Sequence, residues 1–380
     1  LAVRYFEKTV NDEDLLLATA GPVVSLYGTL LELEQESDET GDNLLEIAER
    51  VYAFCLKGRF EPGADISTAA IPENAAVIAF FRTPSAVLAW HVTRSGVSVF
   101  RLNDSDRAPR RFEDDVRAIL DDPAVSVAPL SKVLLAPLLP HLKGVERIAV
   151  VPHAYLHDVP WAELFATEGI NARVTLAPTV EFALQPRFDG LSPQPPVLAL
   201  VGDKPGPGWP PLPGTAIEAE RTVAAAEGRV VRGAAGIAAL RSSTPRFLHV
   251  SAHTTLNPAR PSRSGFILGP GQDDFLSARN IKELDLRGVS AVTVGGCSAA
   301  RSVPLGAQTF SLVRPFLQAG ATAVFGSLIP VDDQDSPPVF EAIYRGLGKG
   351  LVLSEAVALA SKLHPGPLVR RGVTYASLYE

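Results

Sequence analysis

The chain has 380 residues, 46% of them apolar, and a net charge of −7. That length predicts two domains, perhaps with an appendage, and the mild acidity argues against nucleic acid as a main partner. No apolar run is long enough to span a bilayer, and the charged opening residues do not read as a secretory signal. Only two cysteines, Cys55 and Cys297, are present. They are too few for a disulfide scaffold or a zinc site and fit free thiols in a reducing cytoplasm. Methionine is absent and the chain does not open on Met. High-GC bacterial chains run low in methionine, but the sequence still reads as a fragment.

Residues 12–58 predict helices, from apolar spacing in Asp14–Ala20 and again from Asn43 to Phe54, with the acidic stretch 34–42 as a loop between them. Cys55 falls on the apolar stripe of the second helix and reads as a core thiol. Residues 75–101 then predict an antiparallel meander of three strands. Helical patterns follow at 111–121 and 129–142, and a strand at 146–152 leads into His153-Ala-Tyr-Leu-His157. Two His four apart invite a metal reading. The flanking prolines and the lack of further ligands favour a packed turn, and no cofactor is called for.

A strand at 196–203 enters Lys204-Pro-Gly-Pro-Gly-Trp209-Pro-Pro-Leu-Pro-Gly214. The prolines lack the N–H groups of a phosphate loop. Thr215 and Glu218 predict a capping box for a helix at 215–227. Beyond it come a strand at 228–231, a helix at 235–241, strands at 246–252, 264–268 and 291–296, a helix at 308–319, a strand at 321–328, and helices at 337–347 and 353–363. This pattern is α/β, a mostly parallel sheet flanked by helices. The tail from Pro365 reads as frayed or bound to the surface.

Two runs carry chemistry. Phe247–Ala252 ends at His253, and Ala291–Gly296 ends at Cys297, forty-four positions on. Buried parallel strands deliver such residues to the carboxyl edge of a sheet, where ligands bind. A thiol and an imidazole at one crevice suit acyl transfer. The Cys297 N–H, after Gly295-Gly296, is a candidate oxyanion donor. His249 lies inside its run and reads as packed. Asp332, Asp333 and Asp335, after the strand at 321–328, read either as a solvated turn or as a pocket for a basic side chain.

The chain resembles the CHAT domain, a caspase-like family of the clan that includes separase, caspases, metacaspases and gingipains. The resemblance is carried by Val151–Leu164, by Pro211-Leu-Pro-Gly214 with Glu218 and Glu220, and by His249-Val-Ser-Ala-His253. It continues through Pro261–Leu268, Val294-Gly-Gly-Cys297-Ser-Ala299 and Phe316–Asp333. It implies a tandem architecture: an N-terminal helical segment (1–60), a silent pseudo-caspase-like subdomain (61–195) and a caspase-like peptidase subdomain (196–380). It also implies a cysteine endopeptidase with a His253/Cys297 dyad and no third acidic member. The N–H of Thr254 would complete the oxyanion hole, and Asp333 first, then Asp335, would face a basic substrate residue. The implied partners are a protein or peptide substrate and a regulatory protein or helical (TPR) repeat domain, with neither membrane nor nucleic acid. The family has Gly where this chain has Thr254, and Trp where it has Ile329.

Two other readings stand beside this one. A catalytically weak or inactive caspase-like scaffold would keep the fold and lose turnover. An esterase-like nucleophile elbow fits poorly, because a second Gly and a properly placed downstream His are missing.

Overall fold

The computed structural model describes residues 21–36, 41–54, 67–102, 109–186, 196–305 and 308–380. Two compact units partition the chain. One comprises the described residues of Leu1–Gln185 with Ser302–Phe310 and Ser377–Tyr379; the other holds Pro186–Arg301, Ser311–Ala376 and Glu380.

In the first unit, strands β1 (Ala75–Arg82), β2 (Val87–Thr93), β3 (Gly96–Leu102), β4 (Arg147–Val151) and β5 (Arg173–Leu176) lie in the order β3-β2-β1-β4-β5. The meander β1–β3 is antiparallel, as its short polar turns predict, while β4 runs parallel to β1 and to β5. β1 and β2 are buried almost throughout, whereas β3, at the edge, is only partly so. Helix Gly41–Phe54 packs here: Tyr52 donates to the Phe80 carbonyl, and Glu49 accepts the amides of Val180 and Glu181. The acidic stretch is not all loop, since Glu34–Glu36 end the helix Gly21–Glu36. Asp14–Ala20 and Cys55 lie outside the described residues. The 129–142 helix stops at Leu135, because Pro137 supplies no amide to continue it; a 3-10 turn follows at Leu139–His141.

The second unit opens with β6 (Val197–Val201), β7 (Gly228–Arg232), β8 (Phe247–Ser251), β9 (His253–Thr255), β10 (Gly265–Ile267), β11 (Phe275–Ser277) and β12 (Ala291–Val294). The hairpin β13 (Val303–Leu305) and β14 (Gln308–Phe310) then returns to the first unit, and β15 (Val324–Ser327) and β16 (Gly372–Tyr375) complete the second. Its main sheet has the order β16-β15-β12-β8-β6-β7, parallel except for β16. β6, β8, β12 and β15 are wholly buried, which is why they lack the apolar–polar alternation of a strand with one face in water. On one face Phe247, Phe325, Phe340, Ile343 and Leu347 pack with Leu353 and Ala356, joining strands to the helices Ser336–Gly348 and Leu353–Leu363. Each large apolar side chain so buried contributes about 1.5–3 kcal/mol.

Three expectations are corrected here. The 308–319 helix spans only Arg314–Gln318, because Pro315 belongs in a first turn and the preceding residues pair as β14. The tail from Pro365 is not frayed: Pro367–Arg370 is helical, and β16 pairs antiparallel with β15 and is fully buried. The capping box at Thr215 does not form. The helix begins at Pro213, Thr215 donates its hydroxyl to the Leu212 carbonyl, and Glu218 is bound elsewhere.

Candidate active site

All the residues singled out for chemistry after position 200 lie in the second unit. β8 ends at Ser251. The chain then turns, and His253 opens β9 of a separate antiparallel sheet with order β11-β10-β9. A three-residue strand leaves no sequence pattern, so His253 read simply as lying past the end of β8. His253 is half-buried; its Nε2 lies 2.8 Å from the Pro210 carbonyl oxygen, and its ring centroid 5.0 Å from that of Trp209. A carbonyl only accepts, so Nε2 carries a proton and donates. In the neutral ring Nδ1 is then the basic nitrogen.

Cys297 follows β12 after Gly295-Gly296. It is half-buried and free, and its Sγ donates to the Val331 carbonyl at 3.4 Å. The backbone turns at once: Ser298 has φ +51° and its amide donates to the Ile329 carbonyl. Gly296 allows the close approach. A Cβ there would stand 2.5 Å from Thr254 Cγ2 and 3.0 Å from the Ala252 carbonyl oxygen. Thr254 Oγ1 donates to the carbonyl of Cys297 at 2.7 Å. The two strand ends thus meet through the residue next to His253 and the backbone of Cys297.

The ladder also places the Thr254 amide. Leu268 donates to Asp274 and Ala278 to Ser264, so residues 264, 266 and 268 direct their backbone groups toward β11. Gly265 and Ile267 therefore bond to Thr255 and His253 on β9. Thr254 faces Phe266 without a ladder bond, and its N–H points to the outer edge of β9.

The three acidic residues differ in their surroundings. Asp332 Oδ1 accepts the Gln334 amide, closing a turn, and Asp333 Oδ2 accepts the Gly214 amide at the head of the Pro213–Ala226 helix. Asp335 is exposed at the N-cap of Ser336–Gly348 and makes no side-chain cap hydrogen bond. Among the described residues none of the three forms an ion pair.

His249 is fully buried, as its place inside the strand predicts. Sequence reasoning missed its partner. Glu218 Oε1 meets His249 Nε2 at 2.9 Å, and Ser336 donates its hydroxyl to Glu218 Oε2. It also missed Pro210, whose carbonyl survives where its N–H is lacking. In the first unit His153 accepts the Arg82 amide through Nδ1, and Asp158 accepts the Ser302 amide.

A mostly parallel sheet flanked by helices, with His and Cys beyond neighbouring strand ends, is the fold of caspase-like cysteine peptidases. The CHAT domain family model matches residues 126–363, and the chain belongs to that family. Among solved structures, the chain is similar to a chain of the Saccharomyces cerevisiae separase–securin complex, with TM-score 0.50 and 11% identity. The match covers 88% of this chain but only 31% of that one, so this chain spans under a third of that structure. The Arg-specific cysteine proteinase gingipain R aligns at TM-score 0.43 and 7% identity over 73% of this chain and 69% of that one. The complex of Porphyromonas gingivalis RgpB pro- and mature domains aligns at TM-score 0.43 and 8% identity, over 73% and 70%. No curated protein matches. Among the described residues, no helix is long and apolar enough to cross a membrane.

Proposed function

We propose that the chain is a cysteine endopeptidase that cleaves protein substrates after a basic residue. The observation that carries this is the Thr254 Oγ1 to Cys297 carbonyl hydrogen bond, which joins the residue after His253 to the backbone of Cys297. In the proposed reaction the Cys297 thiol turns from Val331 toward the ring and gives its proton to His253 Nδ1. Sulfur adds to the scissile carbonyl carbon, and the N–H groups of Cys297 and Thr254 hold the oxygen. The C–N bond then breaks as the imidazolium protonates the leaving amine. Water, deprotonated by the ring, hydrolyses the thioester and restores the thiol.

The carboxylates of Asp333 and Asp335, with Asp332 beside them, would face the basic side chain. The Coulombic pull of a partly desolvated carboxylate discriminates against neutral residues, which leave it unpaired. Among the described residues the Asp335 carboxylate makes no hydrogen bond of its own, whereas that of Asp333 is anchored by the Gly214 amide. A regulatory protein or helical-repeat partner would switch the activity. A catalytically silent scaffold is the second reading. It is favoured by the resting bonds, since Sγ faces Val331 and the ring's Nε2 faces Pro210.

An arginyl-peptide electrophile separates the two. Covalent labelling at Cys297, lost in Cys297→Ala and strongly reduced in His253→Ala, is the expected result by intact mass. Labelling no faster than that of a denatured control would leave only the scaffold.

A further inference from the structure

The proposed reaction does not use the buried carboxylate of Glu218. Its side chain is fully buried, with no Lys or Arg paired to it among the described residues, and its partners are His249 and Ser336. Burying a carboxylate in this way is costly, and apolar residues of like volume often serve stability as well or better. Its placement is therefore informative. One oxygen, Oε1, bonds His249 and lies directly beneath the Cys loop; a Cβ on Gly295, two residues before Cys297, would stand 2.3 Å from it. The other, Oε2, accepts from Ser336, the first residue of the helix that follows the acidic segment. The Ser336 amide in turn donates to the Asp332 carbonyl.

The network continues inward. A carboxylate only accepts, so His249 Nε2 donates to Glu218, and Nδ1 faces the Thr293 hydroxyl at 2.7 Å. Thr293, on β12, meets the Tyr344 hydroxyl at 2.8 Å, and that hydroxyl donates to the Leu248 carbonyl on β8. One carboxylate thus links the His strand, the Cys strand and the start of the Ser336 helix. A glutamine accepts through one oxygen only, and a leucine through none.

We infer that Glu218 is a positioning residue: through Ser336 it fixes where the acidic segment 332–335 stands relative to Cys297, and so sets the preference for a basic substrate. This rests on the peptidase reading above. The same Pro213–Ala226 helix holds the segment a second time, through the Gly214 amide and Asp333. Two ties from one helix make the acidic segment a fixed part of the site.

The test compares labelling of Cys297 by an arginyl-peptide electrophile with alkylation by iodoacetamide, which needs no recognition. Ser336→Ala and Glu218→Leu are expected to raise the half-saturating concentration of the arginyl probe about tenfold, leaving iodoacetamide alkylation within about twofold of wild type. Glu218→Gln should fall between wild type and these two variants. A role in stability alone would reduce both reactions together, in proportion to the folded fraction, and that result would overturn the inference. So would an unchanged arginyl preference in Ser336→Ala. Amide hydrogen exchange supplies a readout without activity. Ser336→Ala should speed exchange at Asp333–Ser336 and leave β6 unchanged, whereas equal exchange at 333–336 overturns the inference. If wild-type protein takes no arginyl label, the peptidase reading fails by itself, and exchange then decides whether Glu218 holds the segment.

Discussion

The two units each place a histidine two residues beyond a buried parallel strand, and the two histidines end up chemically opposite. In the first unit β4 ends at Val151 and His153 follows; in the second β8 ends at Ser251 and His253 follows. His153 is 5% exposed, stacked on Phe81 with ring centroids 4.0 Å apart, and its Nδ1 accepts the Arg82 amide. Burial, helped by the Arg82 charge, pushes it down to about 3, so it stays neutral and inert. His253 instead stands half-open to solvent, with Nε2 donating to the Pro210 carbonyl and Nδ1 the unprotonated nitrogen of the neutral ring. Strand-end placement alone does not make a reactive imidazole. What differs is whether the next element closes over the ring, as Phe81 does, or runs beside it, as the Trp209-Pro210 loop does.

The sharpest way to break that contrast is a pair of substitutions. His253→Ala should slow arginyl-probe labelling of Cys297 at least about a hundredfold with the fold intact. His153→Ala should leave labelling per folded molecule unchanged and cost about 2 kcal/mol of stability, read by urea unfolding. Equal effects on labelling would erase the distinction.

The next effect is on pH dependence. A histidine lowered in the folded state leaves the unfolded chain binding more protons between the two values. Stability from His153 is therefore complete above about 6.5 and is lost as pH falls toward 3. Glu49, pushed up to about 7 by burial, has the opposite sign: its contribution is complete below 4.5 and is lost as pH rises to 7. His153→Phe should flatten the acid side of the stability curve and Glu49→Gln the neutral side, both measured by denaturant midpoint across pH.

Smaller effects sharpen the description of the second unit. Asp335→Asn should weaken the preference for an arginyl over a norleucyl probe about tenfold, more than Asp333→Asn, which keeps an acceptor for the Gly214 amide. The reverse order would make Asp333 the main contact. Smallest is Thr254→Val, which removes one hydrogen bond to the Cys297 carbonyl and should cost about 1 kcal/mol of stability while keeping the Thr254 amide.

The fold was legible where periodicity is strong. β1–β3, β6, β8, β12 and β15 announce themselves as β-branched or apolar runs, and His253 and Cys297 stand out because each ends one. What stayed hidden depends on contacts distant in sequence. Glu218 looked like a local cap because Thr215 precedes it by three residues; its actual partner, His249, is 31 positions away. β9 is too short to have a period, and β16 is masked by Pro365, Gly366 and the basic pair Arg370-Arg371, although Arg371 is 1% exposed. Pro210 acts through a main-chain oxygen, which no side-chain pattern reveals.

That oxygen has a further consequence. Many histidine-assisted nucleophiles lean on a carboxylate whose own ionisation colours the rate profile. A prolyl amide oxygen never gains or loses a proton in water, and its residue has no N–H to turn toward a competing acceptor. The orientation supplied to His253 is accordingly the same in acid and in base. In the proposed enzyme the limbs of a rate profile would report sulfur, imidazole and the acidic segment, with no silent third member to subtract.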